Sequence, residues 1–123
     1  MFNYKKPTVQ MLGRWQPWHK GHSELFKKAF SKTGQVAIMV RDIDDENNPF
    51  DFDQVYLNII DALFFEGFTN EKDYIVIKVP NIIDISYGRG VGYTFTEHNL
   101  GKDIHSISAT KIRKELKDKG LLK

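Results

Sequence analysis

The sequence predicts an α/β fold with a central parallel sheet of about four to five strands between helical layers, a three-layer sandwich. Two observations carry this. Short apolar runs of strand length, 8–12, 35–40, 74–79 and 82–86, alternate with amphipathic runs of helical period, 23–32, 53–65 and 107–117. The run Gln35-Val36-Ala37-Ile38-Met39-Val40 is also almost continuously apolar, which marks a strand covered on both faces of a parallel sheet. In such sheets ligands bind beyond the carboxyl ends of the strands, so the loops that follow the strands should converge on one edge.

In chain order, Met1 to Pro7 is a lead-in, and Thr8 to Leu12 a first strand broken by Gly13. Ser23 to Lys32 is a helix with Leu25, Phe26, Ala29 and Phe30 on one face and Lys27, Lys28 and Lys32 off it; Thr33-Gly34 ends it. After strand 35–40 comes the acid- and asparagine-rich loop Arg41 to Asn48. Pro49-Phe50 leads into a second helix, capped by Asp51 or Asp53, whose stripe is Val55, Ile59, Ile60, Leu63 and Phe64. Glu66-Gly67 closes it. Tyr74 to Val79 is a third strand and Ile82 to Ser86 a fourth, split by Pro80-Asn81. The glycine-rich loop Tyr87 to Tyr93 follows, 94–103 has no period, and Ile107-Ser108-Ala109-Thr110 opens a last helix with Ala109, Ile112 and Leu116 on one face.

A chain of 123 residues is one domain with a core of its own. Its formal net charge of +2 is too close to neutral for a surface that coats nucleic acid, although positive charge gathers in 111–123. The absence of cysteine excludes disulfide scaffolds and thiolate metal sites. No apolar run suits a signal peptide or a membrane span, so the expected location is the cytoplasm, with no membrane partner.

The candidate site is Gly13-Arg14-Trp15-Gln16-Pro17-Trp18-His19-Lys20-Gly21-His22, at a strand–loop–helix junction. A helix N-terminus offers unpaired N–H groups and positive potential, and Arg14, His19, Lys20 and His22 add to both, so phosphate is the natural ligand. Two other uses of the histidine pair stay open: a zinc site, though without acidic or thiolate partners at ligand spacing, and a purely structural cap. Trp15 and Trp18 fit packing better than chemistry. His98 and His105 carry no pattern.

The decapeptide 13–22, taken with Ile107-Ser108-Ala109-Thr110-Lys111-Ile112-Arg113, resembles the paired His-x-Gly-His and Ile-Ser-x-Thr-x-x-Arg signatures of the nucleotidyltransferase superfamily. Gly-Arg-aromatic-Gln-Pro-aromatic-His and Asn48-Pro49-Phe50 are most similar to the archaeal-type nicotinamide mononucleotide adenylyltransferases; Gln54 and Val55 stand where those usually carry Glu-Arg. The resemblance spans residues 8 to 117. It implies a single Rossmann-like nucleotidyltransferase domain over 1–123, which moves a nucleoside monophosphate, AMP from ATP rather than CMP from CTP, to a small phosphorylated acceptor. Pyrophosphate leaves and no covalent enzyme intermediate forms. The alternatives are a cytidylyltransferase acting on a polyol phosphate and a non-catalytic nucleotide-binding module.

By the same resemblance His19 and His22 contact the triphosphate. Thr110, Ser108 and Ile107 hold its outer phosphates, and Arg113 reaches them in bidentate fashion. Gly13 allows close approach of the nucleotide, Arg14, Trp15, Gln16 and Gly21 line its site, and Gly88 and Arg89 meet the base and ribose. Arg41 takes the acceptor phosphate. Magnesium arrives on the triphosphate with no dedicated protein cage, and self-association is compatible with the family.

Overall fold

The computed structural model describes residues 1–89 and 92–98, and shows the order β1 (Val9–Gly13), α1 (Lys20–Thr33), β2 (Val36–Arg41), α2 (Phe52–Phe65), β3 (Tyr74–Val79). The strands form one parallel sheet in the order β1-β2-β3. Val9 to Gly13 pair with Val36 to Val40, and Val36 to Arg41 pair with Tyr74 to Val79, so the carboxyl ends of all three strands share one edge.

One core holds the molecule together. Met11, Val36, Ile38, Val40 and Tyr74 project from one face of the sheet against Phe26 and Ala29 of α1 and Val55, Ile59 and Leu63 of α2. Both helices therefore cover the same face, as two right-handed crossovers with the strand order β1-β2-β3 require. The alternate residues of β2, Ala37, Met39 and Arg41, are only half-buried. Strand β2 was expected to be covered on both faces; among the described residues only the helical face is closed.

Helix α1 starts three residues before the sequence pattern indicates. Its N-cap is His19, a residue type seldom used there, so the pattern pointed to Ser23 instead. Ser23 is buried, and its hydroxyl oxygen accepts from the Trp18 indole N–H at 2.8 Å. At the other end Gly34 takes the left-handed conformation, φ 80°, and its N–H donates to the Phe30 carbonyl at 2.7 Å. Helix α2 is capped by Asp51, which accepts from the Gln54 N–H, while the Gln54 side chain accepts from the Asp51 N–H; both distances are 2.9 Å. Of its predicted stripe, Val55, Ile59 and Leu63 are buried, but Phe64 is 72% exposed because it lies one residue off that i, i+4, i+8 line.

The fourth strand is corrected. Residues 81–87 form no strand: the Ile82 N–H closes a tight turn onto the Pro80 carbonyl at 2.7 Å, and Ile83 and Ile85 are 86% and 53% exposed. Proline cannot extend the β3 ladder, and the turn after it removes the segment from register, so an alternating isoleucine pattern finds no partner strand. The sheet thus has three strands among the described residues, not four to five. Both described helices cover one face, so a third layer is not seen among the described residues; the last helix, expected to open at Ile107, lies outside them.

Candidate active site

The β1–α1 loop is shaped by its aromatic residues. Trp15 has φ 53°, and its indole N–H donates to the Met39 carbonyl of β2 at 3.1 Å. Its ring lies over Gly13, where a Cβ would come within 2.8 Å of two indole carbons. The side of Gly13 on which a Cβ would stand is therefore filled by Trp15, while the glycine itself is half-exposed. The Gln16–Pro17 peptide is cis. Gln16 is only 3% exposed, and its amide nitrogen donates to the Phe50 carbonyl while its amide oxygen accepts from the Phe50 N–H, both at 2.9 Å. Its carboxamide is thus directed at the 48–50 segment, which Asn48-Pro49-Phe50 occupies immediately before α2.

His19 and His22 stand at the mouth of α1 and stack, with ring centroids 3.6 Å apart and planes 20° from parallel. His19 Nδ1 accepts from the Gly21 N–H at 3.0 Å, and His22 Nδ1 accepts from the His19 N–H at 3.1 Å. An Nδ1 that accepts a hydrogen bond carries no proton, so each ring is a neutral imidazole with its proton on Nε2. Backbone donors that a helix start would offer directly to an anion are passed instead through two imidazoles, whose Nε2–H groups become the donors.

The environment keeps both rings neutral. Trp15 packs edge-on against His22 at 4.8 Å and Trp18 lies 5.4 Å away, so His22 sits in an aromatic nest. Burial, and then the neighbouring His19, push the His22 pKa from 6.5 down to about 3. His19 is lowered by burial as well. A doubly protonated stack at this spacing would set two positive charges face to face, and the site avoids it.

Arg41 ends β2 on the side of the sheet away from the helices. Its Nη2 donates to the Asn81 side-chain oxygen at 2.8 Å, and its Nε is buried with no hydrogen-bond partner among the described residues. It lines a cleft of about 440 Å³ with Leu12, Ile82, Ile83, Asp84 and Ile85. The loops after β1, β2 and β3 thus meet at the carboxyl edge. Arg14 and Lys20 are exposed. Gly88 and Arg89 are exposed too, and a Cβ at Gly88 would meet nothing within 4 Å. Ile107, Ser108, Thr110 and Arg113 lie outside the described residues, as does His105.

Three features escaped the sequence reading: the Phe50 backbone as the partner of Gln16, the Met39 carbonyl as the anchor of Trp15, and Ser23 as the partner of Trp18. None of the three leaves a local sequence pattern; only once Gln16 is seen to be buried does its carboxamide call for partners at both its ends. Among the described residues no group of three or more His, Cys, Asp or Glu converges as a metal site, and no helix is long and apolar enough to cross a membrane.

Fold and site together define an α/β chain with a histidine-capped strand–loop–helix junction at the carboxyl edge of a parallel sheet. The chain is similar to the nicotinamide-nucleotide adenylyltransferase of Methanococcus maripaludis, with 25% identity over 131 residues that cover 88% of this chain and 77% of that protein. No family model matches the chain. No solved structure matches it either.

Proposed function

We propose that this chain is a nucleotidyltransferase that moves AMP from ATP to a small phosphorylated acceptor. An acceptor phosphate oxygen attacks the α-phosphorus, a new P–O bond forms in line with the one that breaks, and pyrophosphate carries away the electron pair. Such a displacement needs no protein nucleophile. It needs reactants held in line and donors aimed at the charge that builds on the α-phosphate oxygens.

The stacked neutral histidines carry this reading. Two imidazoles locked at Nδ1 by backbone N–H groups can act neither as bases at Nδ1 nor as metal ligands at a protonated Nε2; they can donate. Donors that are neutral before the reaction and fixed in place favour a trigonal-bipyramidal phosphate over its ground state without reorganising. The capping bonds also make the structural-cap use real, and the two uses coexist: the cap orients the donors.

Ser108, Thr110 and Arg113 would hold the outer phosphates and Gly88 and Arg89 the base, as the resemblance implies. Arg41, which lines the cleft, would meet the acceptor phosphate. Gly13 and Gln16 serve the shape of the loop in this reading. Magnesium, bound to the triphosphate and its own waters, would neutralise phosphate charge. The preference for ATP over CTP rests on Gln16-Pro17 and Asn48-Pro49-Phe50 and on the adenylyl-transfer activity in the name of the M. maripaludis relative. That relative makes nicotinamide mononucleotide the first acceptor to try.

The test is pyrophosphate release from magnesium–ATP and nicotinamide mononucleotide by the wild type and by His22→Ala. Turnover should fall about a hundredfold or more, the usual loss for one transition-state donor. Unchanged turnover in a folded His22→Ala protein would remove His22 from the mechanism.

A further inference from the structure

The loop between β2 and α2, residues 42–50, is held at two ends by different means. At its start the Asp42 N–H donates to the Val79 carbonyl at 2.9 Å, and Asp42 pairs with Lys78 at 3.7 Å, so this end belongs to β3. Among the described residues its middle is tied to itself, through Asp45 and Asn48: the Asn48 N–H to the Asp45 carbonyl at 3.1 Å, and the Asn48 amide to the Asp45 carboxylate at 2.7 Å. Its far end is held by Gln16. That side chain makes two bonds to the backbone of one residue, Phe50, across a separation of 34 positions.

A carboxamide that binds both the N–H and the C=O of one residue fixes orientation as well as distance, because the two bonds share one plane. Gln16 is itself set by Trp15, which is bonded to β2, and stands three residues before His19. Phe50 stands one residue before Asp51, the cap of α2. We propose that Gln16 is a positioning residue, whose carboxamide holds residues 42–50 and the start of α2 at a fixed offset from the histidine pair. It would thereby set where the acceptor phosphate stands relative to the triphosphate. The acceptor part of this inference rests on the nucleotidyltransferase reading; the clamp itself does not.

Two variants separate the clamp from mere packing. Gln16→Met keeps the length and volume of the side chain and deletes both hydrogen bonds. Gln16→Glu, when its carboxyl is protonated, restores a donor to the Phe50 carbonyl and an acceptor for the Phe50 N–H; ionised, it sets a negative charge against that carbonyl. The charged groups that line the same space are Arg41 and Asp42, of opposite sign, and the two histidines follow on the loop.

Amide hydrogen exchange at pH 7.5 should accelerate about tenfold or more over 42–50 in Gln16→Met, the size of one to two lost hydrogen bonds, while α1 exchanges as in the wild type. The Gln16→Glu protein should exchange like Gln16→Met at pH 7.5 and approach the wild type near pH 5. Calorimetric affinity for magnesium–ATP should stay within about twofold, while KM for nicotinamide mononucleotide, used as the acceptor probe, rises about tenfold or more.

Wild-type exchange over 42–50 in Gln16→Met would overturn the proposal. So would equal acceleration in α1, which would mean general destabilisation, or ATP affinity and acceptor KM worsening together. A wild type that does not bind ATP would instead sink the nucleotidyltransferase reading, and the exchange contrast would still decide the clamp.

Discussion

His19 does two jobs with one ring: Nδ1 caps α1, and the same bond fixes the proton on Nε2. His22 repeats the arrangement one turn on, packed against the Trp15 and Trp18 rings. A stability prediction follows from its depressed pKa. Between the ordinary 6.5 and about 3 the unfolded chain binds a proton at His22 that the folded chain refuses. Stability should therefore be full above that ordinary value and fall as pH drops toward the lower one. The urea midpoint of the wild type should drop between pH 7.5 and pH 5, and His22→Ala should lose part of that slope. A slope identical in the variant would place the pH dependence elsewhere.

Gly13 is set by the same nest. A methyl group there would meet the Trp15 ring at 2.8 Å, and that ring is bonded to β2 and packed on His22. Gly13→Ala should cost about 1–3 kcal/mol, the usual size of an overpacked contact, read as a lower thermal midpoint. The histidine ring signals in NMR should shift as well, because Trp15 cannot move without moving its neighbour. A variant with the wild-type midpoint would show that the ring yields freely.

At the scale of elements, apolar runs of strand length made β2 and β3 legible and helical period the buried line of α2, although the run at 35–40 predicts cover on both faces and only one is closed among the described residues. Cap chemistry was legible where it is usual: Asp51 was one of the two residues named for α2. Asp51→Ala should lower stability by about 1 kcal/mol in chemical denaturation. A loss well below that would mean that Gln54 or water replaces the cap. Where the chain uses an uncommon cap, as at His19, the start of α1 was misplaced by one turn. Ile82 to Ser86 shows the opposite failure. Its alternation is that of a strand, but a strand exists only with a partner ladder, and the turn at Pro80–Ile82 takes it away.

On the scale of the whole molecule, the edge to which the loops converge was legible from the alternation of strands and helices. So was the place of His19 and His22 at the start of α1, from the strand–loop–helix junction on which they fall. The tie from Gln16 to Phe50 was not, since a hydrogen bond across 34 positions leaves no local pattern. The same holds for the tryptophan over Gly13, since nothing in the sequence says which ring will lie against a glycine. Helices close one face of the sheet, its carboxyl edge carries the stacked imidazoles at the start of α1, and Arg41 lines a cleft on the other face; the phosphoryl transfer proposed above would draw on both.

The most direct test of that account is calorimetric titration of the wild type and His19→Ala with ATP, CTP, GTP and UTP in magnesium. The account predicts selective binding of ATP by the wild type and clearly weaker binding by His19→Ala. Selective binding of CTP would move the chain to cytidylyl transfer and make polyol phosphates the acceptors to try. No binding of any triphosphate at millimolar concentration would contradict the account, and leave the histidine pair as a cap and nothing more.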